Sequence, residues 1–228
     1  MRFDYLPYLL ALALLSLLNG MARAADTPSQ LSAGRTAGVA AVDGESPAAL
    51  IEDTVEELLG RMKADTGAEA DRGEQVYALV TDIVVPHLDM TRIARIVLGK
   101  HSRRVDAGDL TEFTGEFRTL LVRTYATSLL AYRGGHIEVR RATQAPVKGT
   151  ATVDVRVHRS EGAPVELSFL AHNRSGPWLV YDIRIEGVSL VSNYRSEFAT
   201  ILRSQGMGGL IKTLRNRNRQ AQLAASLS

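Results

Sequence analysis

Gly134-Gly135-His136-Ile137-Glu138-Val139-Arg140 is where this chain changes its rhythm. Before the glycines, Leu110, Phe113, Phe117, Leu120, Leu121, Tyr125 and Leu129 recur at helical spacing and make one apolar face. After them the period drops from about 3.6 residues to two. Ile137 and Val139 alternate with Glu138 and Arg140, and Val153, Val155 and Val157 alternate with Asp154, Arg156 and His158. Val165, Leu167 and Phe169 alternate in the same way with Glu166 and Ser168. Trp178 to Ile185 is a nearly continuous apolar strand, interrupted by Asp182 and Arg184. Turn residues at Ser160-Glu161-Gly162 and Asn173-Arg174-Ser175-Gly176 separate the later runs. Such short connections predict an antiparallel meander of about four strands.

Helical patterns flank the meander on both sides. Ser46-Pro47 opens the first, with Ser46 as N-cap and Pro47 at the first helical position. Ile51, Val55, Leu58 and Met62 fall on its inner face. A second helix is predicted from about Arg72 to Val84, inward through Val76, Leu79, Val80 and Ile83 and ended by Pro86. Asp89 caps a short third helix that stops at Gly99. The long helix starts near Asp106, with Asp109 three residues on resembling a capping box. Ser189 caps a helix bearing Val191, Tyr194, Phe198, Ile201 and Leu202, closed by Gly206, and a last helix runs from Leu210 to about Gln220. Helices, then strands, then helices predict an α+β fold: a curved antiparallel sheet covered by amphipathic helices. The expected divisions are a signal peptide over 1–24, a flexible lead over 25–45, one α+β domain over 46–222 and a tail over 223–228.

The expected signal rests on the apolar run Leu9 to Leu18 followed by Ala22-Arg23-Ala24, which fits export with cleavage after Ala24. The run falls short of the ~20 apolar residues a bilayer span needs. With no cysteine, the chain has no lipoprotein anchor, disulfide framework, thiol nucleophile or thiolate metal site. Once Arg2, Asp4 and Arg23 are removed, 25 basic and 24 acidic side chains nearly balance. The balance is uneven in space. Arg195, Arg203, Lys212, Arg215, Arg217 and Arg219 face only Glu197, so the C-terminal region is basic. That suits either anionic headgroups or an acidic partner, and it equally suits simple complementation of a helix dipole.

Catalytic patterns are missing. His87, His101, His136, His158 and His172 are too far apart in sequence to form a local metal pair. Gly187-Val188-Ser189-Leu190-Val191 lacks the second glycine of a nucleophile elbow. Gly206-Met207-Gly208-Gly209 lacks the Lys-Ser/Thr of a phosphate loop. Glu138, Asp154 and Glu166 fit ordinary outward-facing strand residues. A near-neutral chain without basic-aromatic interleaving does not fit nucleic-acid binding. No enzyme, metal or cofactor is expected.

Trp178-Leu179-Val180-Tyr181-Asp182 followed by Gly187-Val188-Ser189-Leu190-Val191 and Tyr194 resembles the signature of the MlaC family. A second similar block runs from Ile93-Ala94-Arg95-Ile96-Val97-Leu98-Gly99-Lys100-His101 through Phe113, Phe117 and Leu120 to Ala126. The resemblance extends over nearly all of the chain beyond Pro47. It departs at Ser102, where many relatives carry Trp. The resemblance implies a periplasmic phospholipid carrier of the Mla lipid-asymmetry system. Its implied partners are a phospholipid ligand, an inner-membrane ABC lipid transporter with a substrate-binding ring, and an outer-membrane lipoprotein/porin complex. A hopanoid-type lipid is the alternative cargo, and an enzyme or an adaptor on the same scaffold the alternative roles.

The implied chemistry is plausible on physical grounds. A two-chain phospholipid exposes some thirty methylenes at ~0.8 kcal/mol each, so bare transit through water is opposed by ~20 kcal/mol or more. A carrier needs an apolar enclosure more than polar reacting groups. The expected lipid-binding walls are Val84, Val85, Ile93, Val97, Phe117, Leu121, Tyr125, Val155, Phe169, Val180 and Ile183, with Tyr132, Arg133 and Tyr194 at the mouth. Trp178 and Asp182 are expected to be structural, at the sheet edge and the nearby turn. The same apolar stripes fit a solid core equally well.

Overall fold

The structure, a computed structural model, describes residues 46–64, 72–130, 136–144, 147–158, 163–174 and 176–225. The expected signal segment, the whole of the lead, Tyr132, Arg133 and the Ser160-Glu161-Gly162 turn lie outside the described residues. Helix α1 spans Pro47–Ala64. Its N-cap is Ser46, whose Oγ accepts the Ala49 amide at 3.0 Å. Helix α2 covers Arg72–Leu79. It was expected to continue regularly to Val84. Instead the backbone widens into a π turn over Val80–Val84, with the Val85 amide donating to Val80 O, and then tightens into a 3-10 turn over Val85–His87. Pro86 explains the change: it has no N–H for a fourth-residue bond, so the preceding turns shift their pairing.

Helix α3, Met90–Leu98, starts where Asp89 Oδ1 accepts the Arg92 amide at 2.8 Å. It ends at Gly99, whose φ of 56° and ψ of −128° suit a residue without a Cβ. A side chain there would also collide with Arg195, since a Cβ would stand 2.9 Å from its Nε. A 3-10 turn, Gly99–Arg103, leads to α4, Ala107–Leu130, which Asp106 caps through the Asp109 amide at 2.8 Å.

Among the described residues the sheet has five strands in sequential order, all pairs antiparallel: β1 Ile137–Gln144, β2 Thr150–Val157, β3 Val165–His172, β4 Leu179–Ile185 and β5 Val188–Ser189. The expectation of about four strands therefore falls short. The addition is a two-residue return strand after the Glu186-Gly187 turn, where φ is 49° and 78°. Positive φ at both central residues gives the tight hairpin that matches strand twist. Two bulges adjust the faces. Arg140 is the extra residue of β1, and Tyr181 is the extra residue of β4. The second bulge puts Val180, opposite Ala171, and Ile183, opposite Phe169, on one face although they are three residues apart.

One sheet face is apolar and is covered by α1, through Ile51, Ala48 and Val55, and by Leu88. The other carries ion pairs: Arg156 with Glu166, Arg140 with Glu138 at 3.7 Å and with Glu166 at 3.6 Å. After β5 comes α5, Leu190–Ala225, one long helical element broken at Gly206. The break, with φ of 68° and ψ of −167° at Gly206, divides it into two helices, as expected of a helix closed by Gly206 and followed by another. Among the described residues no helix is long and apolar enough to cross a membrane.

Candidate functional site

Among the described residues three apolar clusters make up the interior. The first joins α3, α4 and α5 around Phe113, Phe117, Tyr194 and Phe198, with ring centroids 5.1–6.1 Å apart. A second lies between α1, α2 and the far half of α4, around Leu58, Val76, Val80, Ile83, Val122 and Ala126. The third is the inner sheet face, around Val153, Val155, Ala171 and Val180, with Ile51 above it. Leu88 packs against both the first and the third.

Where those two meet, a void of about 40 Å³ is left. Its walls are apolar: Leu88, Ile93, Phe117, Leu121 and Tyr194 on the helical side, Val180 and Ile183 on the sheet, Leu190 and Val191 at the start of α5. A dry apolar cavity of ~150 Å³ takes a molecule the size of benzene. An acyl chain does not fit the void as it stands. Among the described residues the side chains of both layers meet at this junction, and the expected apolar cavity is not shown there at lipid dimensions.

One polar group borders the void, and its bonds are committed. Asp182 Oδ2 accepts the Ser189 hydroxyl at 2.7 Å and its Oδ1 accepts the Val191 amide at 3.2 Å. Ser189 Oγ in turn accepts the Ser192 amide at 3.0 Å. The carboxylate thus fastens the N-terminus of α5 to β4, the structural part expected of it. Trp178 packs, half-buried, against the sheet cluster just before β4.

A second polar linkage ties the helical layer to the sheet. The Asp89 amide donates to Val180 O at 2.8 Å, and Leu88 makes a parallel bridge to Val180. Asp89 Oδ2 lies 2.9 Å from Nε2 of the buried His172, while Nδ1 accepts the Arg174 amide at 3.4 Å. Those partners assign the ring proton to Nε2, which donates to Asp89. Arg92 lies over the Tyr181 ring at 4.6 Å.

A larger hollow, about 320 Å³, is a polar groove on the outer sheet face, bordered by Arg140, Asp154, Glu166, Leu167 and Ser168. Its charges pair with one another, and Ser168 donates to Asp154 at 2.7 Å. Nearby, the hydrogen bond with His158 at 3.3 Å holds the Glu138 carboxyl below the ordinary carboxylate range. Among the described residues no three His, Cys, Asp or Glu side chains are grouped to hold a metal.

Of the expected wall residues, Ile93, Phe117, Leu121, Val180 and Ile183 come together on the void. Val97 is buried inside the helical cluster, while Val84 and Val85 are partly buried against the second cluster. Val155 is buried in the sheet cluster and Phe169 packs beside it, opposite Ile183. Burial pushes the Tyr125 phenol up to about 12, against the lowering effect of the nearby Tyr194 and with Glu197 adding to the rise. Tyr194 is raised well above its ordinary value by burial and by Tyr125 and Glu197. It borders the void from within the core and not at a mouth. Leu88, Leu190 and Val191 were missed as walls. Leu190 and Val191 directly follow the Ser189 cap, and a first helical turn springing from a strand must face the sheet, so that signal was available.

These features define an α+β protein whose sheet and helices close over an apolar junction, with its polar groups spent on joining the layers. The chain matches the MlaC protein family over residues 52–216, and it belongs to that family. It is 25% identical over 166 residues to the toluene tolerance protein ttg2D of Pseudomonas putida, covering 72% of this chain and 77% of that one. It is 24% identical over 174 residues to the intermembrane phospholipid transport system binding protein MlaC of Haemophilus influenzae, covering 75% and 81%. Among solved structures, it is similar to a phospholipid-binding protein from Ralstonia solanacearum in complex with a phospholipid. The TM-score is 0.70 at 28% identity, over 77% of this chain and 98% of the other.

Proposed function

We propose that this protein is an exported, periplasmic carrier that binds a phospholipid by its acyl chains, and that it is not an enzyme. In this reading residues 1–24 are removed and residues 46–222 form the lipid-binding unit. The carrier shuttles its cargo between an outer-membrane complex and an inner-membrane ABC lipid transporter. The observation that carries the reading is the likeness over nearly the whole length of a structure holding a phospholipid. The apolar walls at the junction of sheet and helices support it.

The closed void gives the mechanism its form. Loading must part the sheet from α3, α4 and α5, so that hydrocarbon takes the place of contacts between the two apolar layers. The exchange is nearly balanced, because each methylene inserted replaces side-chain contact with acyl contact instead of with water. Backbone bonds within sheet and helices survive such a parting, since the clusters lie between elements. The phosphate and headgroup stay in water.

Native mass spectrometry with lipid extraction tests the proposal on the purified protein. A co-purifying phospholipid, or uptake of a labelled one, is expected. A protein that is both empty and unable to accept labelled phospholipid overturns the carrier reading. Phe169→Glu and Ile183→Glu, cross-strand partners of which Ile183 borders the void, should lower occupancy while near-ultraviolet circular dichroism persists.

A further inference from the structure

The basic C-terminal region expected from the sequence is partly neutralised by folding. Arg215 pairs with Glu112 and, at 3.4 Å, with Glu116, and Arg217 pairs with Glu197. The sheet cations Arg140 and Arg156 and the helix cation Arg123 are paired as well. A different place stands out. Arg95 on the last turn of α3, then Lys100, Arg103 and Arg104 on the turn that follows it, are all exposed and make no ion pair with a described residue. Arg195 of α5 joins them, also exposed, with its guanidinium held against Gly99. Between Met90 and Asp106 the only acidic residue is Asp106 itself, which is engaged as the α4 cap.

We infer that this five-cation face is a docking surface for an anionic phospholipid bilayer. A helix C-terminus accounts for one or two such charges through its dipole, and α3 is only nine residues long. Five unpaired cations on one short turn and its neighbour repel one another and persist at a cost unless something negative relieves them. A protein partner draws most of its affinity from exposed apolar anchors at the centre of an interface. The exposed large apolar side chains among the described residues are Val147, Val188 and Leu223, and none lies on α3 or its following turn. A charged bilayer needs no such anchor. It rewards clustered Lys and Arg for proximity alone, and arginine forks bind phosphate oxygens in pairs. The same two helices, α3 and α5, carry Ile93, Leu190, Val191 and Tyr194 to the void, so adsorption by this face presses the helical wall of the void against the membrane.

The full mature chain, floated with vesicles at low salt, tests the inference independently of lipid carriage. Vesicles of phosphatidylglycerol and phosphatidylcholine are expected to bind it, vesicles of phosphatidylcholine alone are not, and about 0.5 M salt should release it, as screening shortens the Debye length to a few ångströms. The triple variant Lys100→Gln/Arg103→Gln/Arg104→Gln should lose roughly a hundredfold in partition, at about fivefold per charge. Its lipid occupancy by native mass spectrometry should equal that of the parent. A control, Arg61→Gln/Lys63→Gln/Lys148→Gln, removes the same charge from exposed positions elsewhere and should bind as the parent does. No binding by the parent, equal binding by the patch variant, or equal loss in the control each overturns the docking surface. If the patch variant keeps vesicle binding but loses an acidic protein partner, the face serves that partner and the inference is wrong.

Discussion

At the scale of the residue, Tyr125 and Tyr194 set a measurable dependence on pH. Tyr125 ionises at about 12 in the folded protein, because burial disfavours the phenolate, against about 10 in an unfolded chain. Below pH 10 both states hold the proton and stability is unaffected. Between pH 10 and 12 the unfolded chain releases its proton while the folded one keeps it, so folding weakens as pH rises. The loss approaches about 2–3 kcal/mol by pH 12. Tyr194 is shifted the same way and steepens the fall. Urea titrations from pH 8 to 12 should show it, with Tyr125→Phe shallower and Tyr125→Phe/Tyr194→Phe nearly flat. A double variant as steep as the parent removes the tyrosines as the cause. The sequence placed Tyr125 on the inner face of α4 but gave no sign of its partner. A neighbour 69 positions away in the chain leaves no local pattern.

At the scale of the element, the segment from Val80 to Asp89 holds the helical layer to β4. The Leu88–Val180 bridge, the Asp89 amide on Val180 O and the Asp89–His172 bond lie side by side. If loading parts sheet from helices at the void, Leu88 and Val180 must separate, since both line it. A chain without cysteine allows a clean test. Bridged residues stand about 4.8 Å apart, within reach of a disulfide. Oxidised Leu88→Cys/Val180→Cys should gain about 4 kcal/mol of stability from closing so long a loop, and should take up labelled phospholipid at least tenfold more slowly. Reduction should restore uptake; equal uptake in both redox states shows that the layers part elsewhere. Most elements here were legible: Ser46, Asp89, Asp106 and Ser189 all cap the helices they were expected to cap. The π turn was not, because a fifth-residue bond leaves no periodic mark within one turn. The Tyr181 bulge escaped for a related reason. In a nearly continuous apolar run, alternation has no phase, so an extra residue changes nothing visible.

At the scale of the whole molecule, the decisive quantity is a volume. Side-chain patterning fixes which faces turn inward; how far apart two faces stand depends on every contact between them. Ile93, Phe117, Leu121, Val180 and Ile183 could therefore be named as walls while the 40 Å³ between them could not. That number separates two kinds of carrier. A permanently hollow protein, stripped of lipid, leaves apolar walls facing water or vacuum, and tends toward a loosened state that binds hydrophobic dyes. Here the layers meet among the described residues, so a packed interior is the expected form of the protein without lipid. After unfolding in guanidinium, lipid removal and refolding, it should retain its near-ultraviolet dichroism, bind little anilinonaphthalene sulfonate and melt in one cooperative transition. Phospholipid present at about a hundred times its Kd should then raise stability by about 2.7 kcal/mol, less whatever parting the layers costs. In a domain of this size each kcal/mol is worth about 2–4 °C, so a shift well under 10 °C is expected. A delipidated protein with strong dye binding and no cooperative melt contradicts the closed interior, and it places the stabilising work on the lipid instead of on the contact between sheet and helices.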